Sequence, residues 1–589
     1  CSSDLRWDLS DLFSSLDDPR IQKLLDTGKS SASAFKKAYK GKLGNLTAGA
    51  LKKAYEEIED IYQSYYKVSQ YCHLEYAIDT SDEKAKSLVA KVDEVGSEIS
   101  NELVFFDLEL GKLSQDQIDR LLSNDDLLPY KYELAHTVKT AKYHLSEKEE
   151  QVINLKDLTG SDAFRKLYGE FTSSFKYEFE VDGEVKKLNG SELRALRYHK
   201  DAPVRREAMK LFYSRYDDNQ LIFSHIFNNI VKDHHIERDL RGYKSAISVK
   251  NEQNDLSEDS VAALHEVTSE SYPLVNRYYK IKKQLLGLDE MTLADIYAPL
   301  PQSDKIYPWE EATTLIYEGF KAFDDEFFGF VKAMYDEKRI DAPAGGSKRG
   351  GAFCSGYTPD IKPYVMLNYL GRQRDISTIA HELGHAIHDM LCSKQTLLNY
   401  HPILPLAETA SVFSEMIITD LLLNRETDSK ARQSLLTDKL EDIFATSHRQ
   451  NMFSRFEMAS HKAISESLMS PTQLCDLYQT ELNQMFGDAV TYTDEYRWEW
   501  SSIPHIFESP FYVYAYNFGN LLVMALYQQY LEEGASFIPK FKTFLSMGSS
   551  ASPEDITKLV GADINNPEFW RKSLRYIERL IGELEKTIG

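Results

Sequence analysis

The sequence predicts a mostly α-helical protein with a small β element close to its candidate active site. Three observations carry this expectation. Glycine and proline are scarce, 28 and 18 in 589 residues, which favours long helices over a sheet-rich fold. Apolar residues recur at helical spacing through most of the chain. Alternation of period two is confined to short segments. A chain of this length exceeds what one hydrophobic core serves, so about two to four lobes are expected.

Leu51 to Gln70 puts Ile58, Ile61, Tyr62 and Tyr65 at helical spacing, and Ala85 to Leu110 does the same with Leu88, Val89, Val92 and Val95. Tyr177 to Leu188 alternates around Asp182-Gly183, the pattern of a hairpin closed by a type I′ turn. Helices resume at Ser191. Gly345 to Gly351 reads as a mobile loop; it lacks the Gly-Lys-Ser/Thr order of a phosphate-binding loop. Tyr364 to Tyr369 reads as a short strand, and Gly371 to Asp375 turns the chain into the next helix. The remainder is helical, with breaks near Pro402, Pro471 and Pro504.

The net charge of −23 excludes a nucleic-acid binder, which needs a basic surface. No apolar run is long enough to span a bilayer. Cys1, Cys72, Cys354, Cys392 and Cys475 are odd in number and widely spaced, which reads as free thiols in a reducing, cytoplasmic setting. A processed chain anchored by lipid through Cys1 is the minor alternative. Cys392, just past the motif described next, is expected to be a core residue.

His381-Glu382-Leu383-Gly384-His385 carries the chemistry. Histidines four apart lie one turn apart on one helical face, so both imidazoles can reach one zinc ion at about 2.0–2.1 Å. Glu382 flanks that face and can hold water without ligating the metal. Ile379, Leu383, Ala386 and Ile387 form the buried side. Gly384 costs helix stability, roughly 1 kcal/mol relative to Ala, and permits a close approach by a neighbouring strand or by substrate. Five residues fixed at three positions arise by chance with a probability on the order of a few per cent in such a chain; the helical context tells against chance.

A catalytic zinc keeps three protein ligands and one open position. One class of site extends the motif to a Gly and a third His; here those positions are His388 and Leu391, which excludes it. Another takes a Glu from a following helix. Pro405 to Glu415 opens such a helix, and Glu408 lies in an otherwise apolar stretch where a bare carboxylate is costly. Glu408 is therefore the expected third ligand. Glu415, two turns on, is a candidate acceptor for a ligand imidazole, or else a solvated residue. His388 is read as supporting or packing, not as a fourth ligand.

Together with Glu408-Thr-Ala-Ser411 and Glu415, this motif resembles the oligoendopeptidase F branch of the thimet-oligopeptidase-like metallopeptidases. Trp7 to Leu12, Lys348 to Cys354, Arg449 to Phe453 and Ile503 to Tyr516 are similar to other stretches of that branch. The resemblance implies a two-lobed helical zincin with one zinc at the floor of a deep channel and a small sheet beside the zinc helix. It implies cleavage of short, unstructured oligopeptides. On this reading residues 1–190 form an N-terminal helical lobe ending in the hairpin, and residues 191–589 form the catalytic domain.

His505 to Tyr516 is dense in polar aromatics, whose O–H and N–H groups can stabilise an oxyanion. His505 is expected on a loop. If Pro510 starts a helix, Tyr512 and Tyr516 share a face and Tyr514 points elsewhere. The resemblance implies that His505, with Tyr512 or Tyr516, faces the substrate carbonyl; an aromatic core helix is the plain alternative. His234-His235 reads as surface or packing. The expected chemistry has Glu382 taking a proton from water and returning it to the leaving amine. Substrate is expected to pair with Tyr364–Tyr369 as an edge strand, under a closing Gly345–Gly351 loop. A zinc carboxypeptidase and a non-catalytic peptide-binding protein are the rival readings.

Overall fold

A computed structural model describes residues 5–181, 183–300 and 305–588. Cys1 and Asp182 lie outside these. Helices dominate, as expected. The chain divides into two compact units, each assembled from three segments: residues 1–142, 304–425 and 529–562 in the first, and 143–303, 426–528 and 563–589 in the second. The cut expected at residue 190 falls inside the second unit. Helical periodicity identifies a buried face but not which distant helix covers it.

In the first unit, helices Pro19–Tyr39, Ala48–Ile78 and Glu83–Leu103 pack together around Leu25, Leu51, Val92 and Ile99. Side-chain oxygens of Asp18, Thr47 and Asp82 cap their first turns. The helix expected over Ala85–Leu110 breaks at Val104 and continues as Phe105–Leu110. Trp7 edges onto Tyr364 at 6.1 Å, so the N-terminal stretch closes the same core.

Strands β1 (Lys176–Val181) and β2 (Glu184–Asn189) form an antiparallel hairpin in the second unit, with Val181 opposite Glu184 and Gly183 at φ +80°. Strands β3 (Ile340–Pro343), β4 (Phe353–Ser355) and β5 (Tyr364–Tyr369) form a sheet in the first unit in the order β3-β5-β4. The strand at Tyr364–Tyr369 is therefore central, not an edge. It runs parallel to β3 and antiparallel to β4, so both of its sides are taken. Its continuous burial from Tyr364 to Leu367 has the same cause.

The Gly345–Gly351 loop is pinned. Lys348 is buried and donates to the Pro343 and Leu367 carbonyls at 2.9 and 2.6 Å and to the Asp341 carboxylate at 2.5 Å. Thr80 N–H donates to Ser347 O at 2.9 Å, and Arg349 N–H to Ala77 O at 2.8 Å. Gly345, Gly346 and Gly351 have positive φ. Those glycines serve fixed turns, and the expected closing lid is not supported.

Candidate active site

The motif helix spans Gln373–Cys392. Asp375 starts it by accepting from the N–H groups of Leu370 and Arg372 at 2.8 and 3.0 Å, with its charge at the favoured end of the helix dipole. Ile376, Ile379, Leu383 and Ile387 are fully buried and fix the helix's rotation. His381 and His385 project from one side, their ring centroids 4.9 Å apart. Cys392 closes this helix, is fully buried, and directs its thiol to Leu545 O at 3.0 Å.

Glu408 sits between two helical segments, Leu404–Ala407 and Thr409–Arg425, not within one continuous helix. Its Oε2 lies 3.4 Å from His381 Nε2 and 3.3 Å from His385 Nε2. The three donor atoms lie within 4.8 Å of one another. Ligands about 2.0–2.1 Å from a tetrahedral metal are separated by about 3.3 Å. The two nitrogen–oxygen distances match that edge, and the His₂Glu donor set suits zinc. The Glu408 side chain is 48% exposed, so an open face replaces the apolar surroundings expected for it. Partial desolvation of the carboxyl opposes its ionisation, but His385, His381 and the Ser411 hydroxyl bring it down to about 2.

Supporting contacts surround the triad. Glu415 Oε1 lies 2.6 Å from His381 Nδ1. Burial disfavours the His381 imidazolium, yet the Glu415 carboxylate outweighs it and raises the group to about 8. Ser411 Oγ donates to Glu408 Oε2 at 2.7 Å. That role went unread in the sequence, although an i, i+3 Glu/Ser pair at a helix start is a usable signal. Gly384 is where the helices meet: an added Cβ would lie 2.5 Å from Ala410 O and from Ser411 Cα. The close approach comes from a helix, not from a strand or from substrate.

Glu382 is buried, and burial raises its carboxyl pKa, while the two motif imidazoles and the nearby Cys354 N–H of β4 work the other way. His388 is not among the clustered donor atoms: it is buried, and burial holds it down to about 3.

His505, Tyr512 and Tyr516 come together in the second unit. Ring centroids are 5.9 Å apart for His505–Tyr512, 6.0 Å for His505–Tyr516 and 5.3 Å for Tyr512–Tyr516. The local structure differs from expectation. His505 lies in a short helix, Pro504–Glu508, begun by Pro504. Pro510 begins no helix; the next one spans Tyr514–Glu533. Between them Phe511 takes φ +60°, and its N–H donates to the buried Glu457 carboxylate at 2.7 Å. A turn, not a helical face, therefore gathers the two tyrosines. Tyr514 is fully buried and accepts from Asn254 at 2.9 Å.

Arg449 lies in the same unit. It is buried and paired with Glu499, which also accepts from Tyr478 at 2.7 Å and Tyr213 at 3.1 Å. Glu499 lies in the segment Asp494–Ser502, immediately before Pro504. His234 donates its Nε2–H to Ala246 O at 2.8 Å, and His235 is buried beside His461, so this pair packs.

Residues 195–576 match the model of Peptidase family M3, and residues 109–177 match that of Oligopeptidase F. The chain is 26% identical over 592 residues to an oligoendopeptidase F homolog of Borreliella burgdorferi, covering 99% of this chain and 98% of the relative. It is 26% identical to the oligopeptidase PepF of Bacillus subtilis, covering 99% and 87%. Among solved structures, a putative peptidase from Chlamydophila abortus superposes with a TM-score of 0.91 at 24% identity, covering 100% of this chain and 99% of that one. Oligoendopeptidase-F from Enterococcus faecium superposes at 0.70 and 24% identity, covering 96% and 98%; at this identity the likeness is one of fold.

Proposed function

The chain belongs to peptidase family M3 as an oligoendopeptidase F-type metallo-oligopeptidase, and from that premise we propose that it uses one zinc ion to cut internal bonds of short, unstructured peptides. The observation that carries this reading is the single Glu408 oxygen 3.3 and 3.4 Å from two imidazole nitrogens, with Glu382 on the same helix.

His381, His385 and Glu408 would hold the ion. Bound there, zinc supplies Lewis-acid activation of water and of the scissile carbonyl. Glu382 is the base: its buried carboxylate has a raised proton affinity, suited to accepting a proton from the attacking water and passing it to the leaving amine. Glu415 orients His381, and Ser411 orients Glu408. His505, Tyr512 and Tyr516 donate to the oxyanion. Substrate backbone pairs with β4, Phe353–Ser355, because the side of β4 away from β5 carries no strand among the described residues. Free thiols at Cys72, Cys354, Cys392 and Cys475 suit a cytoplasmic enzyme. No helix among the described residues is long and apolar enough to cross a membrane.

The test is cleavage of an unstructured peptide series of graded length, with and without chelator, with every product mapped. Internal cuts that vanish on chelation and in Glu382→Gln support the reading. Stepwise loss of single C-terminal residues would make the enzyme a carboxypeptidase. Activity that survives in Glu382→Gln would contradict the assigned base.

A further inference from the structure

The first unit contains a second cavity, of about 680 Å³, that the chemistry above does not use. Its walls are aromatic and acidic. Tyr55, Tyr62, Tyr66 and Tyr357 contribute rings, and Asp107 and Glu133 contribute carboxyls. Tyr62 and Tyr66 stack at 5.5 Å, and Tyr357 meets Tyr66 edge-on at 6.1 Å. No lysine or arginine lines the space. The one imidazole there, His401, is held towards its neutral form by burial.

Two polar groups are left unsatisfied. The Tyr55 hydroxyl has no hydrogen-bond partner, although Tyr55 is only 2% exposed. Glu133 has no hydrogen bond or ion pair among the described residues, and burial together with Asp107 pushes its carboxyl up to about 7. A donor arriving in the cavity would meet both the Glu133 carboxyl and the bare Tyr55 hydroxyl, which is costly to leave buried and unpaired. Tyrosine faces attract an organic cation in the same place.

The cavity's position says whose cation that is. Gly356 and Tyr357 line it and follow β4 directly in the chain. The Cys354 N–H of β4 lies near enough to Glu382 to favour its ionised form. Three residues of backbone span at most about 10 Å, so Tyr357 lies within about three residues' length of Cys354 along a strand-paired peptide.

We propose that this cavity is a specificity pocket for a cationic group of the substrate, an ammonium or guanidinium two to four residues from the bond that is cut. The assignment rests on the peptidase reading and adds a substrate class to it. The cation comes from a Lys or Arg side chain or from the peptide's own N-terminus; both present the same N–H donors to Glu133, Asp107 and the Tyr55 hydroxyl.

The test walks a single lysine through an otherwise neutral peptide, each member paired with its norleucine counterpart, in free and N-acetylated forms. The wild-type holoenzyme should favour the lysine peptide at one position by on the order of tenfold in kcat/KM. Glu133→Gln and Asp107→Asn should each bring that ratio towards one. A preference abolished by N-acetylation and indifferent to lysine position assigns the cation to the N-terminus, which also supports the pocket. Cleavage with no preference at any position, or a preference intact in the Glu133→Gln/Asp107→Asn double variant, overturns the proposal and leaves the peptidase reading standing. The same ratio is read as binding of peptide to Glu382→Gln, where cleavage plays no part. Absence of both cleavage and binding overturns both readings. The wild-type series decides the matter even if a variant fails to fold.

Discussion

Glu415 Oε1 lies 2.6 Å from His381 Nδ1, so the imidazole is held by one nitrogen and offers the other, Nε2, towards Glu408. The contact fixes both the tautomer and the orientation of the ring that would ligate a metal.

Replacing Glu415 by Gln should weaken zinc affinity by about 10–100-fold, read by competition with a chromophoric chelator. The pH dependence carries a sign. His381 is raised to about 8 in the metal-free protein, so a metal must displace a proton below that pH, and zinc affinity should climb as pH rises from 6 to 8. Without the Glu415 carboxylate, that climb should shift to lower pH.

Gly384→Ala is a helix-favouring change that should nonetheless destabilise. Alanine gains about 1 kcal/mol over glycine in a helix interior. Here its methyl would sit 2.5 Å from the Ala410 carbonyl oxygen and the Ser411 Cα, both backbone atoms unable to rotate aside. Overpacking of this kind costs about 1–3 kcal/mol. It also displaces Ser411, which holds Glu408. The variant should melt at lower temperature and retain less zinc after dialysis; a higher melting temperature with full zinc content would contradict the packing.

Lys348→Met should be among the most disruptive changes in the first unit. Lys348 and Asp341 have side chains 1% and 0% exposed, and Arg6 is the other cation on Asp341, at 3.3 Å. Removing one partner of a buried pair costs about 3–5 kcal/mol. Asp341→Asn on top of Lys348→Met should recover part of the loss, because the stranded charge goes with it. Denaturant midpoints of the two singles and the double close the cycle.

How much of this was legible in the sequence varies by residue. The hairpin around Gly183 follows from alternation and turn chemistry, and the strand at Tyr364–Tyr369 from a short apolar run; both signals are local. The His381–His385 spacing follows from helical geometry, whereas Glu408 was reached by expecting apolar surroundings that the structure replaces with an open face. Partner choice is not local. Nothing in Tyr364–Tyr369 says that β3 and β4 take both its edges, and nothing in Gly345–Gly351 says that Lys348 is buried. Glycines with positive φ look the same in a pinned turn and in a mobile loop. The aromatic segment misled for a similar reason: Pro510 is a fair helix starter, but the Glu457 contact at Phe511 delays the helix to Tyr514.

Glu457 predicts a pH effect on stability. It is fully buried, and burial pushes its carboxyl up to about 8, with the Phe511 N–H working the other way. A folded-state value above the ordinary carboxylate value of about 4.3 means that the folded chain binds the proton that the unfolded chain has released. Stability should therefore fall as pH rises from about 4.5 to 8 on account of this group. Glu457→Gln removes the titration, so its melting temperature relative to wild type should improve steadily across that range. A constant offset would show that Glu457 titrates normally.

The cluster of His505, Tyr512 and Tyr516 separates a chemical role from a structural one. Partial burial, then the neighbouring Tyr512, raises the Tyr516 hydroxyl to about 12, so it stays a proton donor at any working pH. An oxyanion forms only as the carbonyl is attacked, so its donors act on kcat more than on KM. His505→Ala should lower kcat by about 10²–10³-fold with little change in KM. Tyr512→Phe and Tyr516→Phe keep the rings and remove the donors, and the one that contacts the oxyanion should show the same pattern. Tyr514→Phe, which loses only its bond to the buried Asn254, should instead lower the melting temperature and spare kcat. Zinc content should be unchanged throughout, because none of these residues belongs to the triad. Equal kcat losses in all three tyrosine variants would mean that the segment acts by packing, and the oxyanion would then need donors from elsewhere.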